Sequence, residues 1–269
     1  MSAPSAQVAV IGGSGFYSFL DDVEHVPVQT PYGAPSADVS IGIVGDVSVA
    51  FLPRHGVGHE FPPHLINYRA NLWALRSLGV RQVIAPCAVG GLRDGVAPGD
   101  LVVPDQLVDR TLSRVQSYVE RGALHVPFAD PYCAPLSQAV AAADGVKHGG
   151  TMVVVEGPRF STRAESQLYA AQGWTLINMT GHPEAVLARE MRMCYAAVAL
   201  VTDMDAGVAS GEGVGQQEVF AMFAANIDRV KALIGDALTR LPEPGEGCGC
   251  ASWADGLELP YEVPGLTPR

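Results

Sequence analysis

Two stretches of this chain carry more polar chemistry than folding requires. Glu156-Gly157-Pro158-Arg159-Phe160-Ser161-Thr162-Arg163-Ala164-Glu165 follows the apolar run Met152–Val155, and Asn178-Met179-Thr180-Gly181-His182-Pro183-Glu184 closes a second apolar run. In open α/β sheets, polar groups gathered where buried strands end lie where ligands bind. Gly12-Gly13-Ser14-Gly15 sits in the same way after Val8–Ile11. Its glycines let backbone amides approach an anion, and the Ser14 hydroxyl is an extra donor. Arg54-His55-Gly56 follows Val47–Leu52. Arginine offers a planar fork to an oxyanion, and the imidazole can donate a further hydrogen bond. Asp203 and Asp205 stand beyond Ala196–Val201. An isolated Asp-x-Asp is by default a cap or surface charge, but close carboxyls raise one another's pKa, the condition for a proton donor near neutral pH.

Together with Asn67-Tyr68-Arg69-Ala70-Asn71 and Pro98-Gly99-Asp100, these motifs fall in one order across about residues 7 to 240. In that order the chain resembles the trimeric purine nucleoside phosphorylase family, and within it the 5'-methylthioadenosine phosphorylases. Several dispersed motifs in register are far more specific than any one of them. Apolar runs alternating with helical patterns argue for an α/β fold, and the expectation is a single domain with a central mixed β-sheet flanked by helices, spanning 1–241, with the Gly- and Pro-rich 242–269 as a loosely packed tail. The resemblance implies a homotrimer with shared active sites, inorganic phosphate as cosubstrate, and no metal or cofactor in the chemistry. Phosphate would be held by Ser14, Arg54, His55, Cys87, Ala88 and Thr180. Family members often carry threonine where this chain has Cys87, and a thiol is the weaker donor. Met179 would lie under the ribose, Phe160 would wall the purine with Ser161 beside it, and Asp203, Met204 and Asp205 would meet the base. His125 resembles a family histidine that reaches into a neighbour's 5' pocket, which Gln216 and Val219 would line from the home subunit. An amide at 216, where typical members carry valine, softens the preference for an apolar 5' group.

Adenine presents an acceptor at N7 and a donor at its 6-amino group, so a protonated carboxyl can donate to the first and accept from the second. A 6-oxopurine presents two acceptors and is better met by an asparagine amide. Asp203 therefore points to a 6-aminopurine nucleoside, with Asp205 in support. Gly181-His182 departs from the family pattern and resembles relatives that act on methylthioinosine, which keeps a 6-oxopurine alternative open.

Other classes fit less well. The glycine turn at 12–15 lacks the third spaced glycine of a dinucleotide-binding helix, which weighs against an NAD-dependent oxidoreductase. A nonenzymatic nucleoside-binding module would have no use for the phosphate cluster. A net charge of -11 would repel a nucleic-acid backbone. The apolar runs are strand-sized, and the amino terminus has neither a basic start nor a long apolar stretch, so the reading is a cytoplasmic protein with no membrane span. His55, His59 and His64 suit no common zinc spacing, and Pro62-Pro63 breaks any shared helix face. Cys87, Cys133 and Cys194 stand alone in the sequence, and only Cys248-Gly249-Cys250 are close. They read as reduced thiols with no zinc pattern. The Cys-Gly-Cys pair resembles one that forms a disulfide in some archaeal relatives, and in a reducing cytoplasm it reads as two free thiols in a turn.

The elements that must position these groups are legible from periodicity. With 48% hydrophobic residues the chain can bury a substantial core. Val8–Ile11, Val47–Leu52, Val80–Ala85, Leu101–Val103, Met152–Val155, Thr175–Ile177 and Ala196–Val201 read as buried strands. Asn67–Leu78 and Pro183–Met193 read as helices. The long helix is Gln216–Leu241, whose Val219, Phe223, Ile227, Val230, Ile234, Leu238 and Leu241 recur at steps of four or three and form one apolar stripe.

Overall fold

The computed structural model describes residues 4–208 and 213–266. In chain order the strands and helices are β1 (Val8–Gly12), β2 (Glu24–Val26), β3 (Val39–Val44), β4 (Val47–Pro53), α1 (Tyr68–Ser77), β5 (Gln82–Gly91), β6 (Leu101–Val103), β7 (Gln106–Arg110), α2 (Ala134–Ala141), β8 (Val146–His148), β9 (Thr151–Val155), α3 (Arg163–Ala171), β10 (Leu176–Asn178), α4 (Gly181–Glu190), β11 (Cys194–Met204) and α5 (Gln216–Leu238). All strands belong to one mixed sheet.

Alternation along the strands divides the core between two faces of that sheet. Ala9 and Ile11 of β1 pack with Leu72 and Leu75 of α1 and with Leu187 of α4. Val8 and Val10 face the other way, onto Leu136 of α2 and Phe223, Val230 and Ile234 of α5. The stripe expected on α5 is therefore the face it buries, and Val219, Phe223, Val230, Ile234 and Leu238 are all buried.

The chemistry sits where the sheet divides. β1 runs parallel to β4 on one side and to the first residues of β5, Gln82–Ile84, on the other. β5 continues far beyond β1, paired along its whole length with β11, and at Gly90 and Gly91 it meets β10 instead. Between Ile84 and Gly90 that edge of β5 has neither neighbour, so Cys87, Ala88 and Val89 line an opening beside the carboxyl ends of β1, β4 and β11. Strand ends in this arrangement form the crevice that α/β sheets use for ligands.

Several elements escaped the sequence reading. β2, β7 and β8 (Glu-His-Val, Gln-Leu-Val-Asp-Arg, Val-Lys-His) contain no apolar run, because they lie toward sheet margins with partly exposed side chains. α3 did carry a signal. Thr162 accepts from the Glu165 amide while the Glu165 side chain returns to the Thr162 amide, a capping box legible as Thr-x-x-Glu.

The carboxyl-terminal segment departs from the expected loose tail. It has no regular element among its described residues, yet Cys250, Ala254 and Val263 are buried. The Trp253 indole N–H donates to the Arg189 carbonyl at 2.8 Å, and the Tyr261 hydroxyl donates to the Glu190 carbonyl at 3.0 Å. These bonds tie the tail to carbonyls at the end of α4, where the Arg189 carbonyl also accepts from the Arg192 amide at 2.9 Å. The same fold-back corrects the reading of Cys133 and Cys194 as isolated. Spacing along the chain conceals that the start of β11, the entry to α2 and the tail meet, which brings Cys133, Cys194, Cys248 and Cys250 together. Among the described residues no helix is long and apolar enough to cross a membrane.

Candidate active site

The opening in the sheet leads into a cavity of about 340 Å³. It brings together Ser14, Arg54, His55, Cys87, Ala88, Phe160, Ser161, Met179, Thr180, Asp203, Asp205, Gln216 and Val219, thirteen of the fifteen residues named from the sequence. Met204 lies outside the lining, its sulfur packed against Gly91. His125 is also outside, on an exposed stretch of the same chain.

The residues expected to hold an anion gather on one part of the cavity lining. The turn after β1 must be bare: a Cβ at Gly13 would come within 2.9 Å of the Pro86 carbonyl and 3.0 Å of Arg54 Nη1. Arg54 is buried, and its fork is spent on the equally buried Glu184. Nε donates to Oε2 at 2.6 Å and Nη2 to Oε1 at 2.7 Å. Nη2 also donates to the Ile11 carbonyl and Nη1 to the Pro86 carbonyl, both at 3.3 Å. Of the guanidinium's five N–H groups, one on Nη1 remains for a ligand. The sequence reading gave the whole fork to an oxyanion. The structure gives most of it to Glu184, because a buried cation needs a partner before any ligand arrives. Burial alone would lower the Arg54 pKa, and the Glu184 charge and hydrogen bonds more than reverse that. The Tyr195 hydroxyl donates to Glu184 Oε1 at 2.8 Å, so the pair belongs to a larger network.

His55 differs from the donor expected of it. Burial, then the adjacent Arg54 charge, depress its pKa to about 3, so the ring is neutral. Its Nδ1–H donates to the Phe61 carbonyl at 2.8 Å. In the neutral tautomer that bond fixes, Nε2 is an acceptor. It therefore suits an oxyanion that still carries a hydrogen. The ring stacks on His59 at 4.4 Å, and His59 bonds the Tyr17 hydroxyl at 2.9 Å. Burial lifts the Cys87 thiol to about 12, so it remains a weak neutral donor.

The two carboxyls, Asp203 and Asp205, also line the cavity. β11 shifts register between Val201 and Asp203, and such a bulge re-aims the side chains that follow it. Gly90 leaves the room they need, since a Cβ there would lie 3.2 Å from Asp203 Oδ1. The Thr202 hydroxyl approaches Asp203 Oδ2 at 2.7 Å, while Asp203 Oδ1 is buried without a partner among the described residues. Burial raises the Asp203 pKa to about 6; the Thr202 hydrogen bond opposes this, and the nearby Asp205 and Glu218 charges add to it. Ser166 on α3 donates to Asp205 Oδ2 at 2.6 Å, which holds the second carboxyl in place. Asp203 lines the cavity, and a carboxyl there with an unsatisfied oxygen and a raised pKa is a candidate to meet a donor–acceptor ligand edge.

Phe160, Val155, Pro158, Ile177 and Met179 supply apolar walls, and Val219 and Phe220 bring in the start of α5. The charges that drew notice around Phe160 serve position instead. Arg159 pairs with both oxygens of Glu165 at 2.7 and 2.8 Å. Glu156 accepts from the Leu112 amide and the Ser113 hydroxyl. Asn178 Oδ1 accepts from the amides of Thr180 and Gly181, pinning the turn that presents Met179 and the Thr180 hydroxyl. His182 is buried against Gln116 and Asp109, away from the cavity. Gly181 is outside the lining as well; a Cβ there would strike Met152 at 2.7 Å. The Gly181-His182 departure therefore answers to packing, and neither residue lines the cavity.

Sequence reasoning missed Glu184 as the partner of Arg54 and Ser166 as the anchor of Asp205. A glutamate at the start of a helix reads as a favourable dipole charge, and nothing local reveals a partner 130 residues away. His59 and Phe220 were also unassigned. Their ring centroids lie 5.7 Å apart on the cavity wall.

The family model of the phosphorylase superfamily matches residues 7–241. S-methyl-5'-thioadenosine phosphorylase of Mycolicibacterium smegmatis is 59% identical over 258 residues, covering 96% of this chain and 99% of that protein. Purine nucleoside phosphorylase of Streptomyces coelicolor is 55% identical over 275 residues, covering 96% and 98%. The structure of Schistosoma mansoni methylthioadenosine phosphorylase in complex with adenine superposes with a TM-score of 0.81 at 37% identity, covering 87% of this chain and 91% of that one.

Proposed function

The chain belongs to the phosphorylase superfamily, and from that premise we propose that it cleaves the N-glycosidic bond of 5'-methylthioadenosine with inorganic phosphate, giving adenine and 5-methylthioribose 1-phosphate. The observation that carries the choice of base is Asp203, a half-buried carboxyl on the cavity lining with a pKa near 6 and one oxygen without a hydrogen-bond partner. Protonated, it donates to N7 while its other oxygen accepts from the 6-amino group. Ser14, Thr180, the free Nη1 hydrogen of Arg54 and the weak Cys87 donor hold phosphate, with Ala88 at the same wall. The neutral His55 accepts the hydrogen of hydrogen phosphate. Phosphate oxygen attacks the anomeric carbon from the face opposite the base as the bond to N9 breaks. The bonding electrons pass into the purine, and the Asp203 proton neutralises them at N7. Phosphate itself stabilises the oxocarbenium character of the sugar, so the bond exchange uses no cofactor.

The 5' group lies toward Val219 and Gln216 at the start of α5. Val219 is buried and Gln216 exposed, so an apolar substituent meets one aliphatic wall and one wet rim. A buried methylthio group favours 5'-methylthioadenosine over adenosine by roughly 1 to 3 kcal/mol. The remaining wall comes from a neighbouring subunit of a homotrimer. Supporting this, the stretch that carries His125 also carries Leu112 and Val115, 91% and 59% exposed, an apolar surface that a lone chain would leave in water. His125→Ala should lower the preference for the methylthio substrate by roughly ten-fold while leaving adenine recognition intact. Steady-state kinetics on both substrates checks this, and a fully active monomer in analytical ultracentrifugation contradicts the shared site.

Base choice is tested by base release from adenosine, inosine and their 5'-methylthio analogues at saturating phosphate. The 6-amino compounds should show the higher kcat/KM. A preference for methylthioinosine would establish the second reading, a 6-oxopurine phosphorylase, which the Streptomyces relative's broader name favours.

A further inference from the structure

Away from the cavity, four thiols converge from three segments of the chain. Cys133 precedes the first turn of α2, Cys194 opens β11, and Cys248 and Cys250 come from the folded-back tail. Their sulfurs all lie within 4.8 Å of one another, and Cys194 and Cys248 are 3.6 Å apart. A disulfide requires about 2.05 Å between sulfurs, and all four are free thiols. Tetrahedral thiolate coordination at about 2.3 Å from a zinc ion places sulfurs roughly 3.8 Å apart. The Cys194–Cys248 separation matches the second arrangement, and the remaining sulfurs lie within an ångström or so of it.

We propose that Cys133, Cys194, Cys248 and Cys250 form a structural zinc site. Four thiolates in a closed, tetrahedral set select zinc over the harder divalent cations, which take oxygen ligands. The set is closed: Cys133, Cys194 and Cys250 are buried beside Leu136, Val140 and Leu238, and Cys248 packs at the edge of that cluster. Binding exchanges four S–H protons for four Zn–S bonds, leaving a tetrathiolate dianion and releasing the protons to solvent. None of the four residues lines the catalytic cavity, so the ion staples the tail to α2 and β11 and takes no part in phosphorolysis. This explains how a segment with no helix or strand among its described residues keeps a fixed path across the body. The proposal is independent of which nucleoside the cavity accepts.

The test is metal analysis of the full chain expressed with zinc in the medium and passed through a desalting column. One zinc per chain is expected in the wild type. Cys248→Ser and Cys250→Ser should bring it to background, lower Tm, and leave kcat/KM for nucleoside unchanged at temperatures where the variants are folded. If a variant does not fold, cobalt-loaded wild type keeps the question decidable: its spectrum should show thiolate-to-cobalt charge transfer and intense tetrahedral ligand-field bands. Background zinc in wild type with four freely titrating thiols would overturn the site. So would non-reducing mass spectrometry that finds these cysteines joined in pairs.

Discussion

Asp203→Asn is expected to lower kcat/KM for 5'-methylthioadenosine by about 10²- to 10⁴-fold, the range associated with loss of a general acid. The amide can still hydrogen-bond N7 and accept from the 6-amino group, but it has no proton to give to the departing purine. Orientation should survive and proton transfer should not, so the loss falls on kcat more than on KM. The same amide offers a donor to a 6-oxo oxygen, and the ratio of inosine-type to adenosine-type activity should rise. The pH dependence separates the two contributions. Asp203 titrates near 6 in the free enzyme, and only its protonated form donates. Wild-type kcat/KM should therefore fall as pH rises above about 6 through this group, and that limb should vanish in the asparagine variant. An Asp203→Asn enzyme with undiminished kcat would remove the acid from the mechanism.

Arg54→Ala should cost about 3 to 5 kcal/mol of stability, because it leaves Glu184 as an unpaired charge in a fully buried site. This is a larger effect than loss of one phosphate contact, and it appears in chemical denaturation with no phosphate present. The double variant Arg54→Met/Glu184→Leu should recover most of the lost stability, since it removes both charges and the desolvation penalty of each. It should not recover phosphate affinity, because the Nη1 donor is gone. A single Arg54→Ala variant with wild-type stability would show that the buried pair does not hold this wall of the cavity.

These two residues also show what the sequence discloses and what it conceals. An Asp-x-Asp beyond an apolar strand reads by default as a cap or surface charge, and Asp203 was legible because the family resemblance placed it at the base, whose donor–acceptor edge calls for that chemistry. Arg54 was legible as part of an anion site, yet its orientation was not. Its fork belongs to Glu184, which a local reading assigns to the first turn of a helix. His55 shows the same limit: the residue type fits the site, while the Phe61 carbonyl decides that it faces the cavity as an acceptor. β1, β4, β9 and α5 follow from runs and stripes of apolar residues. β2, β7 and β8 do not, because strands at the sheet margins carry polar side chains. The cysteine cluster was hidden for a further reason. Its members are distant in sequence, and only a tail that looks featureless brings them into contact.

The central claim is that phosphate, not water, receives the sugar. The direct measurement is ³¹P NMR of the reaction of 5'-methylthioadenosine with and without inorganic phosphate, with adenine followed in the same samples. Adenine should appear only when phosphate is present, in equal amount to a new sugar 1-phosphate resonance. Adenine released at the same rate without phosphate, with no phosphate ester formed, would contradict the account.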